Sequence, residues 1–288
     1  MICFPKWLVD LYIRCTKETE KSCRKELSID RHTENYVLSK RFKFPRPVRK
    51  EEQLGIEVFI SDGSDIDKPI LLYLHGGAYI HKFSKYHWKF LLEMANKTGC
   101  ALVVLNYLMM PKYTAKISNE ITLNWYEEFT KTHDMSKVII AGDSAGGGLA
   151  CVILERALKM GLPIPGKAIL ISPWVDVTGG NPIKDKDDNM VGYKMVSIYG
   201  EAWQKGMKDK DPFVSPLYGD VTGFPETALY IGGNEVLYDD VMSLYHKMKD
   251  CGVDVKLHYK RKEGHVYPLY PTRNGKKSRE EIVEFINK

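Results

Sequence analysis

Lys137-Val138-Ile139-Ile140-Ala141-Gly142-Asp143-Ser144-Ala145-Gly146-Gly147-Gly148 is the stretch that decides how this chain folds. It reads as a short buried strand, a turn that only small residues can make, and the start of a helix. Within it, Gly142-Asp143-Ser144-Ala145-Gly146 fits G-x-S-x-G, a pattern that sets a serine on a strained strand-to-helix turn with its hydroxyl exposed. Without a Cβ at Gly142 and Gly146, strand and helix can approach closely around a serine whose backbone leaves its comfortable range. The start of the helix offers unpaired N–H groups and a partial positive charge to an anion forming beside that serine. Five-residue matches of this kind are common by chance. The reading therefore requires a base, an acid and further oxyanion donors elsewhere in the chain.

Outward from this turn the chain alternates between apolar runs of about five residues and helical segments. Ile56 to Ile60, Ile70 to Leu74, Ala101 to Leu105, Lys167 to Ile171, Thr227 to Ile231 and Val253 to Tyr259 read as strands. Helices are expected over about Tyr86 to Thr98, Ile117 to Thr130, the stretch from the serine turn to Met160, Asp239 to Asp250, and from Ser278 onward. Continuous apolar strands alternating with helices argue for a mostly parallel sheet covered on both faces. Residues 179–212 break the rhythm with a charged loop, Lys184 to Asp188, and aromatic helical material around Tyr193 to Trp203. Near the N-terminus, Trp7, Leu8, Leu11 and Tyr12 repeat at near-helical spacing. That face is expected to pack on the rest of the protein, with a lid as a special case and membrane contact as the alternative.

The totals narrow the function classes. The 288 residues can bury a sizeable core, and 44% hydrophobic with 27% charged residues is ordinary for a soluble globular chain. A net charge of +5 is spread among acidic residues. Only Arg41 to Lys50 is locally basic, and Pro45 and Pro47 make it irregular, so no nucleic-acid partner is expected. The 6 cysteines form no C-x-x-C pair and no metal-like grouping with histidine, so neither a metal nor a cofactor is expected. Free thiols suit a reducing compartment. Lys6 and Asp10 interrupt the apolar N-terminus, which makes a poor signal peptide and is too short to span a bilayer. The expectation is a cytoplasmic protein without stable membrane insertion, for which a homodimer stays open.

A serine hydroxyl is a weak nucleophile until a base takes its proton, and the base needs an orienting acid. On a fold of this kind the chain order is serine, acid, histidine. Three histidines follow Ser144. His246 points away from the apolar face of its helix (Val241, Leu244, Tyr245, Met248), and His258 lies opposite Val255, Leu257 and Tyr259 on its strand. His265, in the loop Glu263-Gly264-His265-Val266 after that strand, sits where ligand chemistry collects in an open α/β sheet and is the expected base. A structural loop histidine is the plain alternative. For the acid, Glu235 is the first carboxylate after the strand ending at Ile231-Gly232-Gly233-Asn234, with Asp176 as the rival. Asp239 and Asp240 suit the N-terminus of a helix. Asp143 is better placed to brace the turn than to reach a histidine. Further oxyanion donors are expected from His75-Gly76-Gly77-Ala78, whose small residues after an early strand let successive N–H groups, that of Gly76 included, point into the site beside Ala145.

His75-Gly76-Gly77-Ala78, Gly142-Asp143-Ser144-Ala145-Gly146-Gly147, Ser172-Pro173-Trp174, Asp211-Pro212-Phe213-Val214-Ser215-Pro216-Leu217, Glu235-Val236-Leu237-Tyr238-Asp239 and Gly264-His265 together resemble the hormone-sensitive-lipase-like esterases of the α/β-hydrolases, over about residues 55–288. The resemblance implies an α/β-hydrolase fold in one domain over residues 1–288, with a mostly parallel eight-stranded sheet, helices on both faces and a helical lid. In that family an Asp or Glu two residues before a leucine is the acid, with an aspartate two beyond it. Glu235, Leu237 and Asp239 fit, which favours Glu235 over Asp176. The resemblance gives the oxyanion to the N–H groups of Gly77, Ala78 and Ala145, with His75 and Gly76 shaping the loop. It draws the lid from about 1–45 and 179–212.

Three departures stand out, one of them that the lid segments match least, so the resemblance does not carry over a substrate. Ala78 occupies a position where many members carry a third glycine, so its Cβ narrows the acyl side. Asn106-Tyr107-Leu108-Met109-Met110-Pro111 lacks the arginine that usually follows the tyrosine. The expected activity is a serine carboxylesterase acting on small or medium esters, with Ser144 as nucleophile, His265 as base and Glu235 as acid. An amidase or lactonase using the same groups, and a small-ligand receptor on the same fold, are the alternatives.

Overall fold

Short apolar runs rich in β-branched residues and leucine, joined by one charged edge strand, pair here into an eight-stranded sheet. The computed structural model describes residues 3–29 and 38–288. In chain order the elements are α1 (Lys6–Arg14), α2 (Glu20–Leu27), β1 (Val48–Gln53), β2 (Ile56–Ser61), β3 (Ile70–Leu74), α3 (Lys85–Thr98), β4 (Ala101–Asn106) and α4 (Ala115–Thr132). They continue as β5 (Val138–Asp143), α5 (Ala145–Met160), β6 (Lys167–Ile171), α6 (Tyr193–Trp203), β7 (Glu226–Gly232), α7 (Tyr238–Asp250), β8 (Val255–Lys260) and α8 (Arg273–Asn287). The strand order is β1-β2-β4-β3-β5-β6-β7-β8. β2 pairs antiparallel with both β1 and β4, and every other neighbouring pair is parallel.

Alternation along the strands divides the core. Leu72, Leu74 and Ile140 face a cluster with Trp125 and Tyr126 of α4, Leu149 of α5 and Leu244 of α7. Leu71, Tyr73 and Ile139 face the other, with Phe90 and Leu91 of α3 and Ile282 and Phe285 of α8. After β3 the chain moves outward to β4, and after α4 it returns to the far side of β3 as β5. The loops leaving β3 and β5 therefore diverge and open a crevice at the sheet's carboxyl end, the topological switch point where ligands bind in such sheets.

Three expectations need correction. The basic stretch ending at Lys50 is not irregular throughout: Val48–Gln53 forms edge strand β1, joined to β2 by Leu54 and Gly55, both at positive φ (51° and 79°). That is the backbone of a tight two-residue hairpin, and charged side chains suit an edge that must not recruit another strand. α8 begins at Arg273 rather than Ser278, because the Thr272 hydroxyl accepts the Gly275 N–H and caps it. On α1 the inward residues are Val9 and Ile13, while Trp7, Leu8, Leu11 and Tyr12 stand in solvent. The expected packing of that apolar face is not found.

α2 packs against α6, and Ile13 of α1 with Met190, Val191 and Met195 borders the crevice beside Ser144. Residues 1–2 and 30–37 of the segment expected to form the lid lie outside the described residues. Trp203 of α6 stacks on Tyr79 at 4.0 Å between ring centroids and 4° between planes, and Tyr79 in turn stacks on Trp174 at 5.7 Å. The Lys17 ammonium donates to the carbonyls of Asp185 and Asp188, both at 2.8 Å, tying the N-terminal segment to residues 179–212. Among the described residues no helix is long and apolar enough to cross a membrane.

Backbone packing is close where α5 leaves β5. A Cβ on Gly146 would lie 2.1 Å from the Leu74 carbonyl oxygen, and one on Gly142 would lie 2.4 Å from that of Gly146. Both obstacles are backbone, so neither can step aside. Gly146→Ala is expected to lower stability by about 1–3 kcal/mol through overpacking. A urea-unfolding midpoint unchanged by the substitution would refute this account of the turn.

Candidate active site

Ser144 sits between β5 and α5 with φ 51° and ψ −121°, a conformation non-glycine residues rarely adopt. Its N–H donates to the Ile171 carbonyl at 2.9 Å, and its own carbonyl accepts from Trp174 and Gly148. These bonds hold the turn and leave Oγ free to face the crevice. Asp143, buried beneath, accepts the Tyr73 hydroxyl at 2.6 Å, the Gly76 N–H at 2.9 Å and a bond from His87 Nε2 at 3.2 Å. Burial alone would raise its pKa, but His87 and the other two donors hold the carboxyl below the usual range. Asp143 thus fastens the β3 loop to the serine turn, as its position suggested.

His265 lies in the loop after β8, and its ring bridges two partners. Nε2 is 2.8 Å from Ser144 Oγ, and Nδ1 is 2.8 Å from Glu235 Oε2. Glu235 follows β7 and is fully buried. Its other oxygen accepts the Gly232 N–H at 2.6 Å and the Ser172 hydroxyl at 2.8 Å. Burial pushes the Glu235 carboxyl up, against the hydrogen bond and charge of His265. For His265 burial works downward, but the hydrogen bond and charge of Glu235 outweigh it and leave the imidazole above its ordinary value. Such a ring can accept a proton at Nε2 while the carboxylate stabilises the cation formed.

The rival residues are occupied elsewhere. Asp176 accepts the Tyr218 hydroxyl at 2.6 Å and the Thr178 N–H at 2.9 Å. His246 is exposed on α7. His258 stacks on Tyr230 with 4.3 Å between centroids and bonds Glu281 at 2.9 Å. Asp239 stands in the first turn of α7 and accepts from Asn181, and its neighbour Asp240 accepts the Gly180 N–H at 2.8 Å. Both face residues 179–212 and not the imidazole.

The loop after β3 supplies backbone donors. Among the described residues, no acceptor within the chain takes the N–H groups of Gly77, Ala78 or Ala145. Gly76 differs: Asp143 takes its N–H, so it shapes the loop and cannot serve as the oxyanion donor expected of it. Gly77 has φ 125°, and Ala78 and Tyr79 follow at 52° and 58°. A Cβ on Gly77 would lie 2.4 Å from the His81 carbonyl, so that position admits only glycine. His75 is buried and stacks on Tyr107 at 4.7 Å, whose hydroxyl donates to the His75 carbonyl at 2.7 Å. Burial, first among the causes, brings the His75 imidazole down to about 4, so it is neutral scaffolding at neutral pH.

Two contributors were not singled out as site residues. Ser172 donates to Glu235, as described, and accepts the Val266 N–H at 3.1 Å, joining the acid's turn to the histidine's loop. Asp188 is buried and accepts the Val236 N–H at 2.9 Å, directly beyond Glu235. Ser172 belongs to Ser172-Pro173-Trp174, but nothing in the sequence places its hydroxyl. Asp188 read as part of a charged, solvated loop.

Ser144 and His265 open onto a cavity of about 390 Å³, bounded by Gly77 and Ala78 and walled by Ile13, Met190, Val191, Met195 and Leu269. Glu18, His81 and Lys82 add polar groups to its lining. The volume and mostly apolar wall are those of a small-molecule site.

Known proteins match this chain in sequence and in fold. The alpha/beta hydrolase fold family matches residues 71–269. An acetyl-hydrolase of Streptomyces hygroscopicus is 28% identical over 208 residues, covering 71% of this chain and 70% of its own. An esterase of Acinetobacter venetianus is 27% identical over 224 residues, covering 75% and 71%. Among solved structures, an esterase of the bacterial hormone-sensitive lipase family superimposes with a TM-score of 0.81 at 26% identity, covering 97% of this chain and 96% of its own. The chain belongs to the α/β-hydrolase fold family and, within it, is a hormone-sensitive-lipase-like carboxylic ester hydrolase.

Proposed function

We propose that the chain hydrolyses small to medium carboxylic esters through an acyl-enzyme on Ser144. The observation that carries this reading is the single imidazole of His265 held between Ser144 Oγ and Glu235, each at 2.8 Å. His265 Nε2 takes the hydroxyl proton as Oγ bonds to the ester carbonyl carbon, and the carbonyl π electrons move onto oxygen. The N–H groups of Gly77, Ala78 and Ala145 receive that oxyanion, where loss of one donor typically costs about 100- to 1,000-fold in rate. Glu235 keeps the imidazole oriented and offsets its charge as imidazolium. The carbon–oxygen bond to the alcohol then breaks, the alcohol takes the proton from His265, and water repeats the sequence to release the acid and restore Ser144.

The substrate reading rests on the cavity. α1 and residues 179–212 contribute Tyr12, Ile13, Met190, Val191 and Met195 to its wall, which supports their reading as a lid. The methionines can re-pack around acyl groups of different shape. Similarity to an acetyl-hydrolase supports the short end of the acyl range, as does the Ala78 Cβ beside the donors. For the amide- or lactone-cleaving alternatives, a higher kcat/KM on a matched anilide than on the ester would reassign the substrate class. A receptor on this scaffold is expected to have lost a member of the serine–histidine–glutamate set, and all are present.

A fluorophosphonate probe should label the parent chain and leave Ser144→Ala unlabelled; labelling retained in the variant would move the nucleophile elsewhere. Glu235→Gln should lose far more kcat/KM on an aryl acetate than Asp176→Asn, and the reverse ranking would transfer the acid's role. Because the base must be neutral to act, kcat/KM should rise with pH through a value above the ordinary imidazole pKa of about 6.5. Glu235→Gln removes the charge that raises it, so the acid limb of the pH–rate profile should move down. Ser172→Ala leaves the Val266 N–H and one Glu235 oxygen short of a partner and should cost about 1–3 kcal/mol of stability. Equal urea midpoints for this variant and its parent would remove Ser172 from the network.

A further inference from the structure

The outward face of α1 groups several exposed large apolar side chains. Trp7 is 68% exposed and Leu11 54%, and Leu8, Tyr12 and the preceding Phe4 are exposed with them. At 100° per residue, Trp7, Leu11, Leu8 and Tyr12 form a stripe about 140° wide on the side away from Val9 and Ile13. Isolated exposed apolar residues are unremarkable, but a contiguous stripe at the rim of a ligand cavity marks an interaction surface. Tyr12 belongs to both, since it ends the stripe and lines the cavity that holds Ser144.

Beside this stripe runs a row of charge. Lys85, Lys89, Glu93 and Lys97 succeed one another at four-residue spacing along α3 and so share one face. The Lys85 ammonium lies 5.3 Å from the Tyr12 ring centroid and 5.1 Å from that of Tyr86, and Lys89 lies 5.9 Å from the latter. At the other end of α1, Phe4 borders a groove of about 560 Å³ lined also by Lys89, Lys97, Lys276, Glu93 and Arg279. Arg279 is fully buried; it donates through Nε to Glu93 at 2.8 Å and through Nη1 to the carbonyls of Pro268 and Tyr270. Among the described residues its Nη2 has no acceptor. An apolar stripe, a row of lysines and a basic groove are thus joined through Tyr12 at one end of α1 and Phe4 at the other.

We propose that this face docks reversibly on an anionic phospholipid surface, with Trp7, Leu8 and Leu11 entering the interface and the lysines of α3 and the groove meeting lipid phosphates. Charge selects this occupant. A second copy of the chain carries the same lysines, so self-association through this face lacks the electrostatic complement that an anionic headgroup layer provides. A nine-residue helix cannot span a bilayer, but an amphipathic one can lie in the interface plane with its apolar side buried, and basic residues near the surface strengthen binding to anionic lipid. Docking in this way brings the mouth beside Tyr12 against the lipid.

Co-sedimentation of the 288-residue chain with vesicles tests this without reference to catalysis. Vesicles of equimolar phosphatidylglycerol and phosphatidylcholine should bind at least about tenfold more tightly than phosphatidylcholine alone, and added salt should weaken the binding. Four of the 5 tryptophans, Trp88, Trp125, Trp174 and Trp203, are buried, so a blue shift on docking would report Trp7. The Trp7→Ser/Leu11→Ser variant should lose binding by about tenfold or more and show no blue shift. It should keep the parent's activity on a soluble aryl ester, since neither side chain lines the cavity. Lys85→Glu/Lys89→Glu should abolish the preference for anionic vesicles. Absence of binding to either vesicle, or equal binding by the serine variant, would overturn the proposal. So would a solution dimer, seen by sedimentation velocity, that the serine variant dissociates, because the face would then belong to a second copy.

Discussion

Backbone-to-backbone contact between the start of α5 and the end of β3 is the constraint on which the site depends. No side chain separates Gly146 from the carbonyls of Leu74 and His75, toward which a Cβ would project to 2.1 and 2.6 Å. With the helix held that close, the first N–H of α5 and those of the β3 loop open onto one crevice. Ser144 is forced into a positive φ by the same geometry. Such strain costs on the order of 1–3 kcal/mol and persists only where surrounding structure over-determines it. Here that structure is Asp143, which ties β3, its loop and α3 to the strained turn through Tyr73, Gly76 and His87.

A second constraint follows from burying Glu235. A carboxylate out of water must be surrounded by donors or it will protonate. Gly232, Ser172 and His265 supply those donors, and each comes from the end of a different stretch of the sheet. The turn that carries Glu235 is gripped from above as well: Asp188 takes the Val236 N–H, and the Lys184 ammonium donates to the Gly233 carbonyl at 2.6 Å while lying 4.3 Å from the Tyr238 ring centroid. The covering segment is therefore part of what holds the acid in register with the imidazole.

The sheet was legible, and Ser144, His265 and Glu235 could be proposed as a set, because the signals for each are local. Five-residue apolar runs, glycines at a turn and a histidine just past a strand each announce their surroundings within a few residues. What escaped depends on partners distant in sequence. β1 has no apolar alternation and exists because β2 offers an edge for it to pair with. Lys184 to Asp188 has the composition of a solvated loop, and only the fold shows Asp188 buried against a turn about fifty residues away. Among the successive small residues of the β3 loop, residue type alone does not separate Gly76 from its neighbours as a donor; Asp143, distant in sequence, takes its N–H. On α1 the spacing gave a helix correctly, but both faces are apolar, and periodicity cannot say which one turns inward.

The covering segments also explain why substrate identity is harder to read than chemistry. Glu18, between α1 and α2, lies 3.3 Å from His81 Nε2 and accepts the Tyr199 hydroxyl of α6 at 3.1 Å. His81 in turn donates its backbone N–H to the Gly77 carbonyl at 2.8 Å. One chain of contacts thus runs from α6 through Glu18 of the N-terminal segment to the loop proposed to receive the oxyanion. Residues that shape the cavity wall and residues that set donor geometry belong to the same mechanical unit. Changes in the cover that admit a different acyl group would also press on the Gly77 loop. That coupling favours refinement of the cover as a whole, which leaves no short motif for a sequence to display.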